Sequence, residues 1–237
     1  MTIGIIFDCD GTLIDSEQAY FLSWQEAVKV RGASMTLDEY KTYAGHSGAY
    51  ISQKLHDKLN VDSADAILED ARKAFQIHSH LIIPIERTLK IVRQLAAQKQ
   101  ELGIKMGVAS AASQIQLIQN LKRFELIEHF DTIISGKDDL HAYSDPEGTN
   151  KPKPYIYLHT AKQLGLHPAR CVAFEDSGPG VKAAASAGLL TFAVPNHFTQ
   201  HHDLSEAHFT IDSSEEIDLQ DLLQKIYTHL NNAHKHI

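Results

Sequence analysis

A short apolar run, Ile3-Gly4-Ile5-Ile6-Phe7, is cut off at once by polar residues and a glycine, and the same pattern recurs along the chain. Apolar residues at successive positions, rather than at every second one, describe a strand buried on both faces. Similar runs lie at Lys105 to Ala109, Asp131 to Ser135, Arg170 to Phe174 and Leu190 to Val194. Each is separated from the next by a stretch of helical character. Strands that alternate with helices are joined by crossovers, so the expected fold class is α/β, a parallel sheet with helices on both faces.

One block breaks this rhythm. From Glu17 to Pro84 no run reads as a strand, whereas helical stripes recur, such as Tyr20, Trp24, Ala27 and Val28. Further helices are expected over Leu37 to Ala44, Ala49 to Leu59 and Ser63 to Ser79. A helical block set directly after the first strand is an insertion, so the chain divides into residues 1–16 with 85–237, and residues 17–84 between them. Beyond it the spacing predicts helices over Leu89 to Gln98, Gln114 to Arg123, Pro154 to Leu164, Val181 to Ala187 and Glu215 to His229.

The 237 residues are 43% hydrophobic and 22% charged, which is globular rather than disordered composition. Twenty-two Lys and Arg stand against 30 Asp and Glu, a formal charge of −8 with histidine neutral. Partial protonation of the histidines moves this to roughly −4 or −5 at pH 7 and leaves the sign unchanged. A surface built to neutralise nucleic-acid phosphates is therefore disfavoured. Cys9 and Cys171 each sit in an apolar run, so both read as buried thiols of a reducing, cytoplasmic setting. The first apolar run is interrupted by Asp8 and has no basic lead, so neither a signal segment nor a membrane span is expected.

Chemistry enters where strands end. In Phe7-Asp8-Cys9-Asp10-Gly11-Thr12-Leu13, alternation sends the Asp8 and Asp10 side chains one way and Cys9 the other, while Gly11 permits a turn. Two carboxylates so close repel unless a proton or a cation offsets them, and a hard divalent ion such as Mg2+ would do so through oxygen ligands. A second acidic pair, Glu175-Asp176, ends the run at Cys171 to Phe174 and precedes Ser177-Gly178-Pro179-Gly180. Should the two strands be neighbours, four carboxylates converge and need a metal. Ser110 ends another strand before a helix, a place where a hydroxyl and free N–H groups can hold an anion. In Asn150-Lys151-Pro152-Lys153-Pro154 the prolines restrict the direction of Lys151. Taken singly, each has a plain alternative: a turn cap, a solvated acidic pair, a helix cap and an exposed lysine.

Together, Asp8-Cys9-Asp10-Gly11-Thr12, Ser110, Lys151-Pro152 and Glu175-Asp176 with Gly180 and Ala187-Gly188-Leu189 follow one another in a familiar order. In these motifs the sequence resembles the haloacid dehalogenase-like hydrolase superfamily, mostly phosphatases and phosphotransferases, from the first strand to about Pro195. The resemblance implies a Rossmann-like, three-layer α/β/α core with an α-helical cap inserted after the first motif. It implies Asp8 as the nucleophile that becomes an aspartyl-phosphate, and Asp10 as the acid and base. It also implies Mg2+ held by Asp8, the Asp10 backbone carbonyl and Asp176, with Glu175 a ligand or an outer partner. Thr12, Ser110 and Lys151 would hold phosphoryl oxygens.

Within the superfamily the chain is most similar to the beta-phosphoglucomutase and small sugar-phosphatase branch, through Asp15-Ser16-Glu17, the Trp24 helix and Ala109-Ser110-Ala111. True dehalogenases lack the second aspartate and phosphonate-cleaving members carry alanine there, so Asp10 points to phosphoryl chemistry. Mutases need a cap arginine for a far phosphate, and Gly45-His46-Ser47-Gly48-Ala49 has none, while Tyr20 stands where those enzymes keep a histidine. The expected function is Mg2+-dependent hydrolysis of a small phosphorylated metabolite, a sugar phosphate, by a cytoplasmic monomer with no nucleic-acid or membrane partner. The alternatives are a beta-phosphoglucomutase-type phosphotransferase and an inactive metal- or phosphate-binding regulator. A dinucleotide-dependent oxidoreductase would need a glycine-rich turn after the first strand, which is absent. Tyr20, His46 and Ser47 are the cap candidates to meet substrate. Lys54 and Lys73 read as solvated helix residues, and the four histidines from His197 to His208 as a solvated loop matching no metal spacing.

Overall fold

The computed structural model describes residues 2–61 and 63–233. Strand β1 (Ile3–Phe7) is buried throughout. Ile3, Ile5 and Phe7 enter one apolar cluster and Ile6 enters another on the opposite face, which is why the run shows no polar alternation. A short strand β2 (Ile14–Asp15) leads into the helical block of α1 (Glu17–Lys29), α2 (Leu37–Lys41), α3 (Gly48–Leu59) and α4 (Ala64–His78). The chain returns through β3 (Ile83–Pro84) to α5 (Glu86–Leu102), β4 (Ile104–Ser110), α6 (Gln114–Arg123) and β5 (Thr132–Ser135). It ends with α7 (Tyr155–Gln163), β6 (Cys171–Glu175), α8 (Gly178–Ser186), β7 (Leu190–Ala193), β8 (Phe209–Thr210) and α9 (Leu219–Ala233).

The main sheet has the order β5-β4-β1-β6-β7-β8, with every pairing parallel. Helices α5, α6 and α9 cover one face, and α7 and α8 the other, giving the expected three-layer, Rossmann-like α/β architecture. From β1 the next strand of this sheet lies on one side, and from β6 on the other, so the strand order reverses between them. Ligands of open α/β sheets bind in the crevice that such a reversal opens at the carboxyl ends. Register makes the crevice chemical: Phe7 pairs with Phe174 and with Val108, so Asp8, Ser110 and Glu175 finish at one edge. Below them the stacked rings of Phe7, Phe174, Phe192 and Phe209, with centroids 4.9, 5.2 and 4.9 Å apart, tie four strands together.

The helical block has its own core, in which Trp24, Ala27 and Val28 of α1 meet Ile51, Leu55, Ile67 and Ala71 of α3 and α4. Thr36, Ser47 and Ser63 each accept the N–H three residues on, capping α2, α3 and α4. Phe198, from the loop after β7, enters this cluster and fastens the block to the sheet domain.

Two short strands differ from expectation. Ile83–Pro84 lies in the stretch read as strand-free, yet it pairs antiparallel with Ile14–Asp15 as a ribbon joining the entry and exit of the helical block. A two-residue strand that contains a proline shows no alternation, and only its partner reveals it. Strand β8 is likewise visible only through its pairing with β7. The last helix begins at Leu219 rather than Glu215, because the Asp218 carboxylate accepts the Asp221 N–H at 2.9 Å and sets the start. Among the described residues no helix is long and apolar enough to cross a membrane.

Candidate active site

After Phe7 the chain turns sharply, with the Leu13 and Ile14 N–H groups both donating to the Cys9 carbonyl at 2.8 and 3.0 Å. Gly11 adopts φ = 90°, and any side chain there would run into the Asp176 carboxylate. The turn sends Cys9 into the core as an inert thiol, its pKa raised by burial and by the neighbouring aspartates. Asp8 and Asp10 instead line a cavity of about 130 Å³ that lies between sheet edge and helical block.

Lys151 organises the sheet side. Its ammonium donates to Asp8 and to Glu175, both at 2.5 Å, and to the Ala109 carbonyl at 3.2 Å. Burial alone would lower its pKa, but the two paired carboxylates outweigh that and raise it, so the lysine stays charged. Glu175 is fully buried and its acceptor sites are occupied: Oε1 also takes the Tyr157 hydroxyl at 2.6 Å, and Oε2 takes the Ser177 N–H and hydroxyl at 3.4 and 3.2 Å. Gly180 is required beside it, since a side chain there would overlap the Glu175 carboxylate. Glu175 is thus held by Lys151, Tyr157 and Ser177 and also stands among the carboxylates that could meet a metal.

Asp176 sits at 3% exposure, its Oδ2 accepting from the Asn196 amide at 2.9 Å and its Oδ1 facing the Thr12 hydroxyl at 3.4 Å. Asn196 also donates to the Gly11 carbonyl at 3.1 Å, joining the β7 loop to the turn after β1. Nothing in the sequence marks this asparagine, because its partners lie about 20 and 185 residues away. Thr12, expected among the groups that hold phosphoryl oxygens, is fully buried, and its hydroxyl faces the Asp176 carboxylate. Ser110 is also fully buried; its hydroxyl donates to Asp10 at 3.2 Å and accepts the Ala112 N–H at 3.1 Å. Asp10 takes a second hydroxyl, from Ser16, at 2.7 Å. Burial raises the Asp10 pKa, and the Ser16 and Ser110 hydrogen bonds partly offset this.

The buried charges do not balance. Asp8, Glu175 and Asp176 place carboxylate oxygens within 4.8 Å of one another, and among the described residues Lys151 is the one cation bonded to them. Burial raises the Asp8 pKa, with Lys151 opposing, and raises that of Asp176, with Asp8 and Glu175 adding to the shift. An all-oxygen donor set with excess negative charge fits a hard divalent cation.

The opposite wall comes from the helical block. Tyr20, expected to meet substrate, lines the cavity and stacks on Phe75 at 4.4 Å. His46 and Ser47 line it as well. The His46 ring stacks on Tyr50 at 4.3 Å, its buried Nδ1 has no hydrogen-bond partner among the described residues, and burial lowers its pKa. Lys54 and Lys73 are exposed and lie outside this cavity. A second cavity of about 300 Å³ shares Tyr20, Trp24 and Ser47 and adds Arg72 and Lys137. The stretch Gly45 to Ala49 lacks an arginine as read, but α4 supplies one from a position that no local motif marks. The histidine loop is exposed at His197, His201 and His208, as expected, and half-buried at His202. Nδ1 of His202 accepts the Gly178 N–H at 3.2 Å and Nδ1 of His208 accepts the Thr191 N–H at 3.1 Å, so both close backbone ends of the sheet domain.

A parallel sheet whose central strand ends in Asp8-Cys9-Asp10, with a lysine and a second acidic strand end beside the first carboxylate, defines a Rossmann-like α/β protein with an acidic site at its sheet edge and a helical block inserted after the first strand. The chain belongs to the haloacid dehalogenase-like hydrolase family, whose sequence profile matches residues 5–194. It is 29% identical over 238 residues to the Bacillus subtilis protein YhcW, named as a phosphatase, covering 98% of this chain and 99% of that one. It is 29% identical to the phosphorylated carbohydrates phosphatase of Thermotoga maritima, covering 78% and 81%. The crystal structure of beta-phosphoglucomutase from Clostridium difficile superposes with a TM-score of 0.75 at 20% identity, covering 97% and 99%, and shares the fold.

Proposed function

We propose that this enzyme hydrolyses phosphomonoesters of small carbohydrates with a divalent metal, through a phosphoryl group carried on Asp8. The observation that carries the reading is that Asp8 and Asp10 open onto one cavity while Lys151, from the loop before α7, and Asp176, just after β6, meet the turn that follows β1. The name of the Thermotoga relative supports the substrate class. A Asp8 carboxylate oxygen would bond to phosphorus as the bond from phosphorus to the leaving alcohol breaks. Asp10, held by Ser16 and Ser110, would give its proton to the departing oxygen and then take one from the water that attacks phosphorus. Orthophosphate leaves and the Asp8 carboxylate is restored. Lys151 keeps Asp8 ionised and aimed, Thr12 and Asn196 hold Asp176, and Ser110 holds Asp10.

Asp8, Asp176 and the Asp10 backbone carbonyl would hold Mg2+, which when bound screens the nucleophile from the phosphate charge. In this reading residues 17–84 are the cap that selects the leaving group, with Tyr20, His46 and Ser47 on its inner wall.

A second reading has a specific observation behind it. Arg72 and Lys137 line the neighbouring cavity, where they could hold the far phosphate of a sugar bisphosphate and support phosphotransfer of the beta-phosphoglucomutase type. An assay with Mg2+ and a panel of sugar phosphates separates the two. Hydrolysis releases orthophosphate, and D8N lowers turnover by at least about a thousandfold. A mutase would convert glucose 1-phosphate to its 6-phosphate isomer in the presence of a bisphosphate, with little free phosphate. Absence of turnover across the panel, or full activity in D8N, contradicts the proposal.

A further inference from the structure

Glu17 is a buried carboxyl that the proposed chemistry does not use. It opens α1, where an acid is favourable for the helix dipole, and that alone would explain an exposed glutamate. This one is 4% exposed and lines the cavity beside Asp10. Its Oε2 accepts the Tyr40 hydroxyl at 2.5 Å, which joins α1 to α2 and fixes the carboxyl plane. Its Oε1 takes no hydrogen bond among the described residues. Oε1 is not one of the enclosed atoms left without a partner: it opens onto the cavity, where a bound molecule can reach it.

We infer that Glu17, held by Tyr40, reads a hydroxyl group of the leaving alcohol, so the preferred substrates are polyol or sugar phosphates rather than aryl phosphates. This rests on the phosphomonoesterase reading above and narrows it. Burial, partly offset by the Tyr40 hydrogen bond, raises the Glu17 pKa to about 7, so near neutrality Oε1 can donate as an acid or accept as a carboxylate. A hydroxyl answers both states. A second anionic group at the same place would meet repulsion from Asp10 and from ionised Glu17. Tyr20 and Trp24 line the same cavity and add apolar surface suited to the C–H side of a carbohydrate.

The test compares wild type, E17Q and Y40F on sorbitol 6-phosphate, glucose 6-phosphate and glycerol 1-phosphate against phenyl phosphate, all with Mg2+. Wild type is expected to favour at least one hydroxylated ester over phenyl phosphate in kcat/KM. The loss in E17Q should be about ten- to a hundredfold larger on that ester than on phenyl phosphate, with most of it in KM. Y40F leaves Glu17 in place, removes only the group that holds it, and should shift the preference in the same direction. It carries the test if E17Q does not fold. Equal losses on the two ester types, or a wild type that prefers phenyl phosphate, overturn the inference and leave the phosphatase reading standing. A wild type that hydrolyses none of the four overturns both.

Discussion

The two walls of the cavity are built on opposite plans. On the sheet side the polar groups are already bonded: Asp8 and Glu175 to Lys151, Asp10 to Ser16 and Ser110, Asp176 to Thr12 and Asn196. On the helical side, Nδ1 of His46 and Oε1 of Glu17 carry no partner among the described residues, and Tyr20 and Trp24 offer aromatic surface. A wall whose side chains are bonded to one another holds one geometry and suits one reaction. A wall with unused hydrogen-bonding capacity is fitted to meet different leaving groups. The division lets the leaving group change on one wall while the reacting groups stay in place on the other.

The comparison breaks most visibly at Lys151. Replacing it in K151M leaves Asp8 and Glu175 buried without their cation, and should destabilise the metal-free chain by about 3–5 kcal/mol in urea unfolding. R72A, on the exposed side of α4, should change stability by less than about 0.5 kcal/mol. Equal costs for the two would remove the distinction between the walls.

A smaller effect belongs to Glu17. Because its folded pKa lies near 7 against an ordinary value of 4.5, its contribution to stability is fully present below 4.5 and is lost as pH rises through about 7. The groups facing it are Tyr40, Asp10, Asp15 and Tyr20, and Asp10 and Asp15 raise its pKa further. Wild type measured against E17Q should lose on the order of 3 kcal/mol of relative stability between pH 4.5 and pH 8. A flat difference would place Glu17 in solvent.

The next effect sharpens the sheet side again. Mg2+ at about 100 times its dissociation constant should stabilise the wild type by about 2.7 kcal/mol, and a chelator should reverse the gain. D176N should lose that response while the metal-free chain gains slightly, since one buried negative charge is removed. A thermal melt of D176N that still rises with Mg2+ would put the cation elsewhere.

Much of this arrangement is legible in the sequence, and the limits have physical causes. Both-face burial makes β1, β4, β6 and β7 continuous apolar runs, so their ends, and with them Asp8, Ser110 and Glu175, can be located. The helical block is legible from its 3.6-residue stripes and its serine and threonine caps. Ile83–Pro84 and Phe209–Thr210 are too short for any periodicity to show. Asn196 and Tyr40 act only through contacts with residues distant in sequence, and Arg72 reaches its cavity from a helix face that looks solvated. The Thr12 and Ser110 hydroxyls show a further limit: sequence gives their place at the strand ends, but the carboxylate each one bonds is decided by packing.

The central claim is that Asp8 carries the phosphoryl group. It is tested most directly by acid-quenching the Mg2+-loaded enzyme during turnover of a hydrolysed sugar phosphate and measuring the mass of the peptide that contains Asp8. The account predicts a fraction of that peptide heavier by one phosphoryl group, larger when D10N slows release and absent in D8N. Steady turnover with no phosphorylated peptide in either wild type or D10N, or a phosphoryl group found on another residue, would contradict it.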